Sequence, residues 1–306
     1  MPSVTVTGAA IMDISGKPFG EIIPGDSNPG TIRISFGGVG RNIAENLARL
    51  DIPVQLITAV GNDHFGKVLL ENCSQLKIQT ENSLIVKEAS TSVYLAMGKR
   101  DGDLEYGLSD TAVMDYLTPG FFRSKNDMLK SFEYLVIDTN LPEDSIAWLL
   151  HHSYSKLTFA DAVSVSKAGK LREHLHRIHT IKVNKAEAGL LAGVDPDSTD
   201  SLDRIRESLL KKGTNEVFVT LGREGCYFFD RQQDGMIPGV PTDVINSSGA
   251  GDAFMAGLVL GSIRNENLTN TARVAMACAL IALKSEQAVN PLTNIELIDK
   301  TLIDYF

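Results

Sequence analysis

Cysteine is scarce. Cys73, Cys226 and Cys278 lie far apart in 306 residues and form no C-x-x-C pair, so they read as buried free thiols. No apolar run approaches the length of a membrane span. The opening MPSVTVTGAAIMD lacks a basic stretch and meets Asp13 early, so no signal peptide is expected and the expected setting is the cytoplasm. There is no block of lysine or arginine, and 29 basic against 38 acidic residues leave a formal charge of −9. That balance disfavours nucleic acid and membrane surfaces as partners, although a local pocket can still take an anion. Six histidines show no H-E-x-x-H pattern, and His174 and His176 stand two apart, a spacing that does not share a helix face, so zinc is not expected. A G-x-S-x-G nucleophile elbow is also missing.

What remains is an ordinary folded composition, 43% hydrophobic and 22% charged, ample for a core. Short apolar strand candidates at 4–10, 54–60, 134–138, 157–160, 179–183 and 216–221 alternate with helical patterns near 40–50, 64–75, 142–152, 167–177, 201–212, 250–263 and 268–284. This alternation predicts an α/β fold whose parallel sheet is covered on both faces. Residues 14–36 and 91–108 break the rhythm. The second reads as a hairpin turning at Arg100–Asp103, and together the two predict a small β-lid on one main domain spanning 1–306.

Two glycine motifs carry the chemistry. NSSGAGDAF, 246–254, places Gly249, Ala250 and Gly251 where a long apolar helix begins. Unsatisfied amides and the helix dipole meet there, a natural anion site. Asp252 beside them would repel a phosphate unless it takes the proton of a hydroxyl that attacks the phosphorus. The same residues also fit a tight strand-to-helix turn in which Asp252 caps the helix. FGGVGRN, 36–42, likewise precedes a helix. Gly37 and Gly38 allow close approach, and Asn42 suits sugar hydroxyls. It is not a dinucleotide fingerprint, because Ile43 stands where the third glycine would be, which disfavours an oxidoreductase. No Walker A loop occurs.

GGVGRN early and GAGD late resemble the two signatures of the ribokinase-like (PfkB) carbohydrate kinases, and the resemblance runs over essentially the whole chain. Within the family it is greatest to the pseudouridine-kinase branch, through stretches such as DSNPGTIRISFGGVGRNIAENLA, TSVYLAM, DTNLPE, DAVSVSK and HTIKVNKAEA. The resemblance implies a ribokinase-like fold, a central, mostly parallel sheet flanked by helices with a small β-sheet lid. It implies ATP and magnesium, phosphorylation of a nucleoside 5′-hydroxyl, and a homodimer through the lid.

It also implies roles for individual residues. Asp252 would be the base, with Gly249, Ala250 and Gly251 as the anion hole. Asp13, Gly38 and Asn42 would bind the sugar. Tyr94, Asn140 and Lys167 would line the acceptor side, against plain readings of Tyr94 as lid packing and Lys167 as a solvated helix start. Asn184 and Glu187 match N-x-x-E, with Glu187 on the magnesium side through water, against a plain helix cap. Thr220, Gly222, Gly225 and Ser247 would face the nucleotide, with Ala279, Ala282 and Asn290 near adenine. Many members carry an acid where this chain has Asn246. There, with Ser248, a monovalent cation would sit, so potassium dependence is expected to be weak. The alternatives are a kinase of another nucleoside or pentose, such as inosine or ribose, and a non-catalytic ligand-sensing homologue.

Overall fold

The computed structural model describes residues 3–98, 104–152 and 157–306. Strand β1 (Val4–Thr7) is buried on both faces. It ends before the predicted Ala10 because the next amides leave the sheet. Ala9 donates to the Asp138 carboxylate and Ala10 to Thr58 Oγ1. The chain then forms β2 (Ile11–Pro18) and β3 (Gly30–Gly37), an antiparallel pair, and returns through α1 (Val39–Arg49) to β4 (Val54–Ile57), parallel to β1. Next come β5 (Ala59–Gly61), α2 (His64–Gln75), β6 (Leu84–Val86), β7 (Val93–Gly98) and β8 (Leu104–Asp110). The turn predicted at Arg100–Asp103 lies outside the described residues.

From there helices and strands alternate: α3 (Pro119–Ser124), α4 (Asn126–Leu129), β9 (Tyr134–Asp138), α5 (Glu143–His152), β10 (Leu157–Asp161), α6 (Val165–Ala168), β11 (Thr180–Asn184), α7 (Lys185–Ala192), α8 (Ser201–Lys211) and β12 (Glu216–Thr220). The helix predicted over 167–177 is instead the short α6 followed by a 3₁₀ stretch, Gly169–Arg177, with glycine at the junction weakening α-helical continuation. A hairpin of β13 (Gly225–Phe229) and β14 (Asp234–Pro238) precedes α9 (Ala250–Ile263), α10 (Leu268–Ala282) and α11 (Ile295–Tyr305).

Among the described residues the main sheet has eight strands in the order β14-β13-β12-β11-β10-β9-β1-β4, parallel except for the β13–β14 hairpin at one edge. Two apolar clusters cover its two faces. Helix α9 is buried almost all round, as its unbroken apolar sequence requires, and packs on α10. Gly257 permits that approach, since a Cβ there would lie 2.5 Å from Ala275 Cα. The chain leaves β1 toward β4 on one side and later enters β9 on the other. Ligand crevices of open α/β sheets form at the carboxyl ends beside such a reversal. A separate four-stranded sheet, β3-β2-β7-β8, projects above that end.

Candidate active site

The late glycine turn is built for glycine. Gly249 has φ +79°, and a Cβ on it would lie 1.9 Å from the Ala288 carbonyl oxygen. Asn246 fixes the approach. Its Oδ1 accepts from the Ser248 amide at 2.9 Å, and its Nδ2 donates to the Glu286 carbonyl at 3.0 Å. Ser247 and Ser248 are exposed, while Ala250 and Gly251 open α9 half-buried.

Asp252 lies in the first turn of α9 on its buried side. Asn42 Nδ2, from α1, donates to Asp252 Oδ2 at 2.8 Å. Asn42 is held in turn by Arg41, whose Nη1 donates to Asn42 Oδ1 at 3.1 Å. Arg41 is anchored by Asn72 at 2.9 Å and by an ion pair with Glu45. Burial, and then the neighbouring Asp161 charge, push the Asp252 carboxyl up to about 7, against the opposing pull of Lys182 and the Asn42 bond. A carboxyl that titrates there can exchange a proton at neutral pH.

Asp13, on β2, is half-buried. Desolvation raises its carboxyl to about 6, with Arg41 pulling the other way. Gly37 leaves room for it, since a Cβ there would meet Asp13 Oδ2 at 2.0 Å. Gly38, at φ +95°, passes so close to the exit of β1 that a Cβ would lie 2.5 Å from the Ala9 carbonyl oxygen. The Arg41–Asn42 pair therefore links the surroundings of Asp13 to those of Asp252. Tyr94 sits beside Asp13 in strand register, with its hydroxyl against Gly107. Lys167 Nζ donates to Asn140 Oδ1, and the Asn140 amide donates to Asp138 at 2.8 Å, so these two meet each other at the end of β9.

Asn184 and Glu187 form a full capping box on α7. Asn184 Oδ1 accepts from the Glu187 amide at 2.9 Å. The Glu187 carboxylate accepts from the Asn184 amide and side chain, each at 2.8 Å. Burial raises the Glu187 carboxyl. Thr220 closes β12, Gly222 and Gly225 take positive φ, and a Cβ on Gly225 would strike the Ile237 carbonyl. Ala279 and Ala282 lie on α10. Asn290 is buried, with its amide engaged at both ends, by the Ile281 carbonyl and the Leu292 amide.

Three charged residues escaped the sequence reading. Asp138, Asp161 and Lys182 stand side by side in register across β9, β10 and β11. Asp138 holds the amides of Ala9 and Gly40 on Oδ2, both at 2.9 Å, and so fixes both early glycine segments. Lys182 Nζ bonds Asp161 at 3.0 and 3.3 Å. A charged residue ending an apolar strand is a visible signal, but only strand register shows that the three adjoin.

The chain matches the model of the pfkB family carbohydrate kinases over residues 1–295. It belongs to that family. It is thereby a phosphotransferase acting on a sugar or nucleoside hydroxyl. This pfkB-family kinase is 32% identical over 289 residues to pseudouridine kinase of Escherichia coli (strain K12), covering 94% of this chain and 92% of that one. A putative sugar kinase from Clostridium perfringens superposes with a TM-score of 0.86 at 30% identity, over 99% of this chain and 96% of that one. Arabidopsis thaliana ribokinase, solved with ribose and ATP, shares the fold at 20% identity, with a TM-score of 0.88 over 98% of each chain.

Proposed function

We propose that this kinase transfers the γ-phosphate of ATP to the 5′-hydroxyl of pseudouridine, giving pseudouridine 5′-phosphate. The observation that carries the reading is the Asp252 carboxyl, oriented by Asn42 at the foot of a glycine turn that opens a buried helix. Asp252 takes the hydroxyl proton while the acceptor oxygen attacks the γ-phosphorus in line, and the bond to the departing ADP breaks. The amides of Gly249, Ala250 and Gly251 face the charge that builds on the phosphoryl oxygens. Asp13, Gly38 and Asn42 hold the sugar, and the small sheet β3-β2-β7-β8 acts as a lid whose Asp13 and Tyr94 face the acceptor. Likeness to a pseudouridine kinase supports the acceptor, and a fold-mate solved with ATP supports the donor.

Among the described residues no cluster of three or more His, Cys, Asp or Glu side chains suits a metal ion. Glu187 has both oxygens engaged by Asn184. Glu187 would hold a magnesium ion through water rather than by direct ligation, and the ion would supply charge neutralisation on the phosphates. At Asn246 the side chain already bonds Glu286 and Ser248, so potassium contributes little.

One assay tests these statements. ADP release is followed with Mg-ATP and pseudouridine, uridine, inosine, adenosine, ribose or fructose 6-phosphate. Pseudouridine gives the highest kcat/KM, and potassium at constant ionic strength leaves it nearly unchanged. Preference for ribose or inosine would replace the acceptor, and a large potassium activation would return a cation to the turn.

The homodimer has its own support. The outer face of the small sheet carries two apolar rows, Ile34–Ile14–Leu95–Leu108 and Ile32–Gly16–Met97–Tyr106. Ile32 is 75% and Leu108 69% exposed. A second copy of the chain covers this face and its edges. Light scattering at working concentration gives twice the chain mass, and a monomer mass would remove the dimer. No described helix is long and apolar enough to cross a membrane, and three buried free thiols suit a reducing cytoplasm.

A further inference from the structure

A lysine in the middle of a buried parallel strand needs a reason. Lys182 lies between Ile181 and Val183, both inside the core, and its side chain is only 12% exposed. Pairing with Asp161 accounts for its neutralisation. It does not account for where the ammonium stands. A Cβ on Gly251 would lie 2.8 Å from Lys182 Nζ, so the lysine ends against the glycine turn itself. Among the described residues, Asp161 supplies its hydrogen-bond acceptors, and an ammonium has three hydrogens to give. Asp161 is itself fixed by the Val163 amide at 2.9 Å, which holds the pair in place.

The charge around the turn points the same way. The charged groups that face Asp252 are Asp161 from β10, Lys182 from β11 and Asp138 from β9, with the neutral Asn42 from α1. Only Lys182 is positive. A transferring phosphoryl group brings further negative charge to a place already ringed by carboxylates. Among the described residues that act on Asp252, the cation is Lys182, built into the sheet.

We propose that Lys182 is a catalytic residue whose ammonium, held by Asp161 against Gly251, donates a hydrogen bond to the phosphoryl group in transfer. The proposal rests on the phosphoryl-transfer reading above. In the step the acceptor oxygen forms its bond to phosphorus, the hydroxyl proton passes to Asp252, and the electron pair of the broken bond leaves on ADP. Lys182 keeps its proton throughout and stabilises charge only.

The test uses the full-length enzyme and the acceptor that the wild type turns over fastest. Wild-type turnover is measured first, so a wrong acceptor or an inactive chain shows before any variant is made. Lys182→Met lowers kcat at least about 100-fold with little change in the acceptor KM. Lys182→Arg restores part of that loss. The acid limb of kcat/KM moves to higher pH in Lys182→Met, because Asp252 loses a neighbouring positive charge. In Asp161→Asn it moves to lower pH, because Asp252 loses a negative one. A merely structural ion pair also moves the acid limb, because both charges stand beside Asp252, but it predicts lower melting temperatures with kcat within about threefold of wild type, and that kcat overturns the proposal. Should Lys182→Met fail to fold, Lys182→Gln keeps a donor, removes the charge and is read by the same criteria.

Discussion

Asp252→Asn abolishes useful turnover and at the same time stabilises the protein above neutral pH. Loss of a positioned base costs about 10²–10⁴-fold in kcat. The amide is isosteric, and its oxygen still accepts from Asn42, so nucleotide affinity stays near wild type. The stability change follows from the titration. The native carboxyl is raised to about 7 from an ordinary value of 3.8. The native state therefore holds a proton that the unfolded chain has already lost between those values. Stability from that proton is complete below pH 4 and fades as pH rises to 7, leaving a buried charge at pH 8. Removing the charge restores on the order of 4 kcal/mol at pH 8 and progressively less toward pH 4. Calorimetry at pH 8 and pH 5.5, with ADP release and nucleotide titration, checks all three statements. Near-wild-type turnover would remove Asp252 as the base. An equal gain at both pH values would remove burial of the charge as the cause.

Gly249→Val damages the same site through the backbone. Two faults coincide at this position. The residue adopts φ +79°, which costs a β-branched side chain about 1–2 kcal/mol. The added Cβ would also lie 1.9 Å from the Ala288 carbonyl, a main-chain atom that cannot rotate away. The turn must shift, and a shift of roughly 1 Å in groups that position reactants costs about 100-fold in rate. Gly193→Ala is the control. Gly193 has φ +73° but open space around it, at the end of α7 and away from the turn. It loses only the backbone term in stability and keeps its kcat. Equal effects of the two substitutions on kcat would show that contact with Ala288 is irrelevant.

Much of this was legible in the chain itself. Apolar strands spaced by helical periodicity give a parallel sheet, because each strand must be buried on both faces. GGVGRN and GAGD mark two segments where glycine is obligatory, and the structure joins them through the Asn42–Asp252 bond. The row of Asp138, Asp161 and Lys182 was not legible. Its members come from three strands separated by helices, and their adjacency depends on register that no local pattern encodes. The plain capping reading of Asn184 and Glu187 proved geometrically real, and a local motif alone cannot say whether a cap also serves a ligand. Asn290 shows the same limit, since its buried amide secures the loop after α10.

Transfer of the acceptor proton to Asp252 is tested most directly by the pH dependence of wild-type kcat/KM, with the nucleotide held as its magnesium complex. The predicted profile is level above neutrality, bends near pH 7 and falls about tenfold per pH unit below it, because only the ionised carboxyl accepts a proton. A profile flat from about pH 5.5 to 8.5 would contradict it.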